Sequence, residues 1–237
     1  MIIAGKIGMD YIADFKRTLH QIPEFNDLSD QTQNALGVAA ARRHFDGGKV
    51  IYIEGEPAEY VYVLEAGWVK ATRMTPDGRE QAMLFLRPVE LFGDIAAITG
   101  TSYPGSVVTL EPVDVWVIPA KALLELIPLN PDLAMAVIRH LGERVLHYVN
   151  LVEDLSLRSV EARLARTLLQ NAALRDGNLI VPRRSWTTFD EMAVRLGTVR
   201  DVLSRALRTL EAEQLLRVEK QSILLIDPKG LAERANH

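Results

Sequence analysis

An apolar seam with helical spacing runs through residues 131–155 and limits what this chain can fold into. Its members follow one another at alternating intervals of four and three residues, the heptad spacing of helices that pack along their length. Asn130-Pro131-Asp132 predicts the start of this helix, with Asn130 as the N-cap and Pro131 in the first helical position. The seam consists of Ala134, Ile138, Leu141, Val145, Tyr148, Val152 and Leu155.

A second apolar flank lies on the same predicted helix. A helix that is apolar on two sides needs two partners. We expect one partner to be the chain's own β domain and the other to be the same helix of a second subunit. The alternative is a helix buried in the core of a monomer. The flank consists of Leu133, Val137, Leu146 and Val149.

Short β runs dominate the chain between Phe45 and Pro119. They recur at roughly 8–12-residue spacing, with Thr75-Pro76-Asp77-Gly78 as a strong hairpin signal, which is typical of a sandwich or barrel. Residues 10–43 predict short helices, with one start at Leu28-Ser29-Asp30, and so does Ala120–Ile127. The predicted strands are Lys49–Ile53, Tyr60–Leu64, Trp68–Thr72, Gln81–Leu86, Val107–Leu110 and Val113–Ile118.

The last third of the chain predicts a compact unit of helices and a β hairpin. Val160–Leu174 has a helical pattern, and Gly177–Val181 predicts a short strand. Thr188 can cap a helix that stops at Gly197, with Glu191 as the acid of a capping box.

A second helix follows at once, so that the pair makes a helix-turn-helix. Thr198 begins it, with Asp201 in the acid position of another capping box. The hairpin after it, with Lys220-Gln221 at its tip, would be a wing. The predicted buried face of the second helix is Val202, Ala206, Leu207 and Leu210, and the predicted hairpin strands are Leu216–Val218 and Ile223–Ile226.

The other face of the second helix carries side chains suited to DNA. Arginine bonds O6 and N7 of guanine through two nitrogens, aspartate accepts from N4 of cytosine, and hydroxyl groups suit phosphates. The alternative is that Arg200 and Arg205 are solvated charges with Asp201 and Glu211 as partners. The candidate DNA-contacting residues are Thr188, Thr198, Val199, Arg200, Asp201, Ser204, Arg205, Arg208 and Lys220.

Composition narrows the class of protein. Residues 157–237 carry 14 basic and 10 acidic side chains, although the whole chain has a net charge of −4. There is no cysteine, which excludes disulfides, a thiolate zinc site and a Cys-ligated iron–sulfur cluster. A Walker loop, a metal-ligand cluster and a serine elbow are all missing from the sequence, so we do not expect an enzyme. Apolar runs long enough for a membrane are also missing, and we expect a cytoplasmic protein without membrane partners.

Two stretches carry a resemblance to a known family. Gly197–Leu207, with the sequence GTVRDVLSRAL, is similar to the recognition-helix stretch of the CRP/FNR family of bacterial transcription regulators. Phe45–Gly67 and Phe92-Gly93-Asp94-Ile95-Ala96-Ala97 resemble the β-roll of cyclic-nucleotide-binding domains. The resemblance covers the chain from about residue 20 to residue 232.

The resemblance implies an α+β fold in three parts. Residues 1–130 would form a jelly-roll-like β-roll (a double-stranded β-helix) with flanking helices and act as the sensor. Residues 131–156 would form the dimerisation helix, and residues 157–237 the winged helix-turn-helix. The implied function is that of a homodimeric, sequence-specific transcription regulator. Its implied partners are a double-stranded DNA operator with two half-sites, RNA polymerase and a small-molecule effector.

The effector pocket departs from the family's pattern. Members that respond to cyclic nucleotides hold the ribose with a Glu and neutralise the phosphate with an Arg. Here the acid is Asp94, Tyr103-Pro104-Gly105 stands where Arg-Ser-Ala would fall, and Tyr148 replaces a hydroxyl residue that bonds adenine. A buried phosphate without a cation is badly compensated, so we do not expect cAMP. The candidate pocket residues are Gly93, Asp94, Ile95, Ala96, Tyr103, Pro104, Gly105, Ser106, Arg144 and Tyr148.

The sequence leaves the cofactor unknown. Arg144 could meet an anion in the roll, as a helix cation does in the 2-oxoglutarate-responsive branch of the family, or it could form a surface ion pair. Haem would need a ligand such as His44 or His147, and we do not expect it. A regulator that needs no effector is an alternative, as is a ligand-binding scaffold whose C-terminal unit contacts protein.

Overall fold

The computed structural model describes residues 9–74, 77–78 and 80–235. These residues form two compact units: one extends to Gly78 and continues over Met83–Leu146, and the other contains residues 80–82 and the chain from His147. Three predictions extend beyond the described residues, at residues 1–8 of the sensor part, at Thr75-Pro76 of the hairpin turn and at residues 236–237 of the winged helix.

Helices precede the β strands of the first unit. Helix α1 is Met9–Leu19, a 3₁₀ turn covers Pro23–Phe25, and α2 is Asp30–Ala39. The predicted helix start is confirmed, because the Ser29 hydroxyl accepts a hydrogen bond from the backbone N–H of Thr32 at 3.2 Å. The prediction that helix extends to residue 43 is wrong, because Ala41–Phe45 is strand β1.

Eight strands make up two four-stranded sheets. The first has the order β1-β8-β3-β6 and the second the order β2-β7-β4-β5, and every mapped pairing is antiparallel. All six predicted strands are present, whereas β1 and β6 were not predicted. The bounds of the remaining strands are β2 Val50–Tyr52, β3 Tyr60–Ala66, β4 Val69–Met74, β5 Glu80–Leu86, β6 Glu90–Phe92, β7 Ser106–Thr109 and β8 Val113–Pro119.

Two apolar cores divide the first unit. The first surrounds the fully buried Trp116 and is closed by the helices, which include α3 Asp94–Thr99 and α4 Ala120–Leu126. A 3₁₀ turn at Ile127–Leu129 leads from α4 to the long helix. The second core contains aromatic side chains of the roll, with Tyr52 and Phe92 among them.

The long helix α5 is Pro131–Leu157, two residues longer than the predicted seam. Asn130 lies directly before it, but its side chain bonds elsewhere: Nδ2 donates to the carbonyl of Leu126 at 2.8 Å, and Oδ1 accepts from Thr32 at 3.2 Å. The predicted cap by the Asn130 side chain is therefore not formed. The buried residues of α5 are Leu133, Ala136, Val137, His140 and Arg144.

The outer face of α5 differs from the predicted seam. Ile138 and Val145 are each 61% exposed, whereas Ala134, Leu141 and Tyr148 are half-buried, and Leu141 packs on the Trp116 core. A straight helix drifts by about 20° per heptad relative to a 3.5-residue repeat, so one seam cannot follow one face throughout. Leu146 and Val149, which were expected to face the β domain, are exposed instead. The exposed large apolar residues of α5 are Met135, Ile138, Val145, Leu146, Val149, Val152, Leu155 and Leu157.

The second unit combines helices with a four-stranded sheet of order β11-β12-β10-β9. The predicted helix over Val160–Leu174 is too long: α6 ends at Gln170, and Leu174 lies in β9. Asp176 and Gly177 both have positive φ, +49° and +78°, and form the two-residue loop that turns β9 into β10. The bounds are α6 Val160–Gln170, β9 Ala173–Arg175, β10 Asn178–Pro182, α7 Phe189–Arg195, α8 Arg200–Ala212, β11 Leu216–Val218, β12 Ser222–Leu225 and α9 Pro228–Arg234.

Candidate nucleic-acid interface and effector pocket

Helices α7 and α8 form the predicted helix-turn-helix. Thr188 caps α7, because its hydroxyl accepts from the backbone N–H of Glu191 at 3.2 Å. Gly197 lies in the turn with φ +61°, and a Cβ there would approach Leu155 Cδ2 to 2.6 Å. Positive φ favours glycine at this position, because other residues are strained in this conformation. The turn therefore fixes where α8 begins relative to α7.

The start of α8 differs from the prediction. The helix begins at Arg200, and its N-cap residue is Val199, which has no side chain able to accept from the first turn. The predicted capping box between Thr198 and Asp201 is not formed. The N–H groups of the first turn are consequently not covered by a capping side chain, which suits a helix end that meets an anion.

The burial of α8 separates a core face from a solvent face. Leu203 and Leu210 are fully buried, and Ala206 and Leu207 nearly so. The predicted Val202 is only half-buried. Most candidate DNA-contacting side chains are exposed. The exposed ones are Thr188, Val199, Arg200, Asp201, Arg205, Arg208 and Lys220, and the half-buried ones are Thr198 and Ser204.

The charged side chains of this face have other partners than expected. Arg200 Nη1 lies 3.1 Å from Asp190 Oδ2 on α7, rather than on Asp201. Glu211 accepts from the backbone N–H of Val218 and not from Arg205. Among the described residues, Arg205 and Arg208 form no ion pair. The sequence showed no signal for the Asp190 contact, because ten residues and a turn separate the two side chains.

Strands β11 and β12 form the predicted wing. Its tip is closed by a hydrogen bond from Glu219 N to Ser222 O at 2.9 Å, and Lys220 is exposed there. Arg183, which the sequence did not single out, donates to the carbonyls of Glu219 and Thr187. Its guanidinium also lies over the ring of Phe189 at 5.1 Å. Arg183 therefore ties the wing to the segment that leads into α7.

Aromatic side chains fill the interior of the β-roll. The rings of Tyr52 and Tyr103 stack with centroids 3.8 Å apart, and those of Tyr62 and Phe92 stack at 5.0 Å. The Tyr103 hydroxyl donates to the carbonyl of Tyr60 at 2.7 Å. Burial raises the pKa of both Tyr62 and Tyr103, so neither phenol is charged at neutral pH.

The rest of the predicted pocket stretch also has partners within the protein. The Ser106 hydroxyl accepts from Glu54 N at 3.0 Å, and a Cβ on Gly105 would come within 2.7 Å of the Thr72 carbonyl. Gly93 has φ +81° and turns the chain from β6 into α3. Pro104 is exposed, Ile95 half-buried and Ala96 buried.

Asp94 faces a different group from the one expected. Its carboxylate is buried, with Oδ2 3.4 Å from His140 Nε2, and it lines a small void of the helix-packed core together with Leu91 and Val137. Glu24 approaches the other ring nitrogen of His140 at 3.8 Å. Desolvation lowers the pKa of His140, against the opposing effect of Asp94.

Arg144 is also committed inside the protein. It is buried, and its Nη2 donates to the carbonyl of Leu91 at 2.6 Å while Nη1 lies 3.6 Å from Glu90 Oε2. Burial raises the pKa of Glu90. Arg144 therefore forms an ion pair with a neighbouring acid, as one of the two alternatives expected, but the arginine is buried and not on the surface. Tyr148, the last pocket candidate, belongs to the other compact unit.

The two histidines named as candidate haem ligands lie on the surface of the protein. His44 Nδ1 lies 2.9 Å from Asp114 Oδ1 on the exposed face of β1, and His147 is exposed on α5. Within residues 9–74, 77–78 and 80–235, no group of three or more His, Asp or Glu side chains could hold a metal ion. No helix in the same ranges is long and apolar enough to span a membrane.

Comparison with known proteins identifies both halves of the chain. Residues 42–130 match the cyclic nucleotide-binding domain family, and residues 162–234 match the Crp-like helix-turn-helix domain family. A CRP-like cAMP-activated global transcriptional regulator of Mycobacterium tuberculosis is 29% identical over 194 residues, which cover 81% of this chain and 86% of that protein. A global nitrogen regulator of Synechococcus elongatus is 28% identical over 198 residues, covering 80% and 87%.

A solved structure extends the likeness to the fold. A CRP/FNR-family transcriptional regulator from Thermus thermophilus matches with a TM-score of 0.68 at 24% identity, covering 83% of this chain and 99% of that one. The predicted α+β fold, with β-roll, long helix and winged helix-turn-helix, is confirmed.

Proposed function

Because the chain belongs to the CRP/FNR family of bacterial transcription regulators, we propose that it acts as a homodimer that recognises one DNA operator through α8 and the wing. The family consists of transcription regulators and not of enzymes. The observation that carries the proposal is the solvent face of α8, where Arg205 and Arg208 are exposed beside Arg200. RNA polymerase is the further partner that the family implies.

The three parts of the chain have separate roles in this proposal. Residues 1–130 form the sensor, residues 131–156 dimerise, and residues 157–237 contact DNA. The match to the Crp-like helix-turn-helix domain over residues 162–234 supports the last of these roles.

DNA binding is tested by selecting duplexes from a random pool and measuring affinity for the selected and scrambled sequences. We expect tighter binding to the selected duplex and a steep loss of affinity with salt, because each phosphate contact releases counterions. Two recognition helices of a dimer would meet half-sites about 34 Å apart, so the selected sequence should be a palindrome with that spacing. A pool that yields no preferred sequence would contradict the proposal.

The dimer is proposed to form in parallel along the exposed apolar face of α5. Ile138 and Val145 lie on that face and are well exposed in the single chain. Ile138→Asp or Val145→Asp would bury a charge in the dimer, which costs several kcal/mol. Light scattering should then report a monomer. Leu141→Ala is the matched control, because Leu141 packs on the chain's own core and its loss should reduce stability without dissociating the dimer.

The roll is proposed to take an effector other than cAMP, or to work without one. The M. tuberculosis relative is named as cAMP-activated. This chain has no arginine between Arg87 and Arg139, and Tyr103 stacks on Tyr52 inside the roll. The stacking of Tyr103 on Tyr52 also favours a regulator without an effector, because these rings already pack the interior of the roll. Calorimetry with cAMP is the direct test: a dissociation constant in the low micromolar range, about −8 kcal/mol, would contradict this part of the proposal.

A further inference from the structure

Asp190 is an acidic side chain on the surface proposed to meet DNA. It lies in the first turn of α7, directly across the turn from the start of α8. Its Oδ2 accepts from Arg200 Nη1 at 3.1 Å, and the two side chains are 64% and 60% exposed. An exposed pair of this kind contributes little to folding stability. A carboxylate also repels DNA phosphates, so its place on this surface lowers affinity for DNA of any sequence.

The geometry of the pair leaves the reading edge of Arg200 open. The guanidinium presents five N–H groups in a rigid fork, and the contact with Asp190 uses Nη1 alone. The Nε and Nη2 groups on the other edge form the parallel pair that bonds to O6 and N7 of guanine. A long arginine side chain is otherwise free to rotate towards any nearby phosphate.

We propose that Asp190 is a positioning residue that holds Arg200 in the orientation that reads a guanine. This inference rests on the proposed function. Asp190 would restrict the rotamers of Arg200 before DNA arrives, so less conformational entropy is lost when the base contact forms. It would also disfavour a contact between Arg200 and a phosphate, which carries no sequence information. The charge of Asp190 therefore lowers affinity for DNA of any sequence. Its positioning of Arg200 raises the preference for the operator over other DNA.

Removing Asp190 should change overall affinity and operator preference in opposite directions, so one variant tests both effects. For Asp190→Ala we expect affinity for scrambled DNA to rise, because one negative charge has left the interface. The ratio of operator to scrambled affinity should fall by about threefold to tenfold, part of the discrimination of one two-point arginine contact. Asp190→Asn keeps an oxygen acceptor without the charge and should restore part of the ratio. Glu233→Gln, an exposed acid on α9, is the control for charge alone.

A double variant separates positioning from other roles. In an Arg200→Ala background, Asp190→Ala should cause no further loss of the ratio, because nothing is left to orient. The inference is overturned if Asp190→Ala raises both affinities equally, which is a pure charge effect. It is also overturned if both affinities fall together, or if the ratio falls equally without Arg200. If the unmodified protein shows no operator preference, the proposed function fails as well.

Discussion

The β-roll and the winged helix use their candidate binding residues in opposite ways. In the first unit, Arg144 on α5 is buried against a carbonyl and a glutamate, Asp94 on α3 faces His140, and Tyr103 stacks on Tyr52 inside the roll. In the winged helix, Arg205 extends from the helix surface into solvent. The pocket residues were singled out by the family resemblance, and the residues of the winged helix by their spacing on the second helix of the helix-turn-helix.

This difference shows which residues are available to a ligand. A side chain that already bonds inside the protein can bind a ligand only by giving up those bonds, and each buried polar group left without a partner costs about 1–3 kcal/mol. Arg205 gives up no side-chain bond to any described residue when it binds a ligand, so its free-energy cost is only that of losing hydration. We therefore interpret the stacked tyrosines of the roll as part of its packed core, and we propose the solvent face of α8 as the surface that binds DNA.

The largest effect is expected from a substitution that removes a ring from the packed interior of the roll. Tyr103→Ala removes a buried ring and its hydrogen bond to Tyr60, and we expect it to lower the free energy of unfolding by about 3–5 kcal/mol. Urea denaturation followed by circular dichroism measures the change. Tyr103→Phe, the control, keeps the stack and should lose only about 1 kcal/mol. Unchanged stability of Tyr103→Ala would mean that the roll interior is not packed as described.

The exposed face of α8 should show the reverse behaviour. Arg205→Ala should lower the discrimination between operator and random DNA by about 1–3 kcal/mol, because one base contact is lost. Its free energy of unfolding should change by less than about 0.5 kcal/mol, as is usual for exposed residues. Fluorescence anisotropy and thermal unfolding measure the two quantities. Lys220→Ala at the wing tip is the matched control and should weaken both kinds of DNA about equally.

The smallest effect concerns the buried contact of His140 with Asp94 and Glu24. Burial lowers the pKa of His140 below its ordinary value of 6.5, so the unfolded chain takes up a proton more readily than the folded one. The contribution of neutral His140 to the free energy of unfolding is therefore fully present above pH 6.5, and it is lost as the pH drops below that value. We expect a loss of about 1 kcal/mol between pH 7 and pH 5.5 that His140→Gln abolishes.

Comparing the pH dependence of stability in the wild type and in His140→Gln isolates the contribution of His140. Glu90 has a raised pKa and acts in the opposite direction on acidification, but it is present in both. Arg144 likewise stays in place on the next turn of α5. Parallel curves of stability against pH for the wild type and His140→Gln would contradict this prediction, because they would mean that the ring has the same pKa in the folded and unfolded states.

Local sequence signals predicted most elements and failed where distant partners decide. The turn at Gly197 and the cap at Thr188 depend on neighbouring residues, and both were predicted. Strand β1 has the sequence Ala-Arg-Arg-His-Phe, without apolar alternation, and becomes a strand only because β8 pairs with it. Leu174 has a good helical propensity but follows the end of α6 and pairs with Leu179 across a tight loop.

The candidate sites divide in the same way. Exposure of Arg205 and Arg208 follows from their spacing along one amphipathic helix, so the sequence predicted it. The partner of Asp94 comes from α5 and the partners of Arg144 from β6, in each case far away in the chain. No local pattern encodes such contacts, and the resemblance alone placed both residues in a pocket.

The strand order of the first sheet has a consequence for synthesis of the chain on the ribosome. Strand β8 is the last of its sheet to be made, yet it lies between β1 and β3 and pairs with both. Until residue 119 has emerged, each of these strands presents an unsatisfied edge, and the site of Trp116 beneath the helices stays vacant. A nascent chain stalled before Val113 would therefore be prone to aggregation.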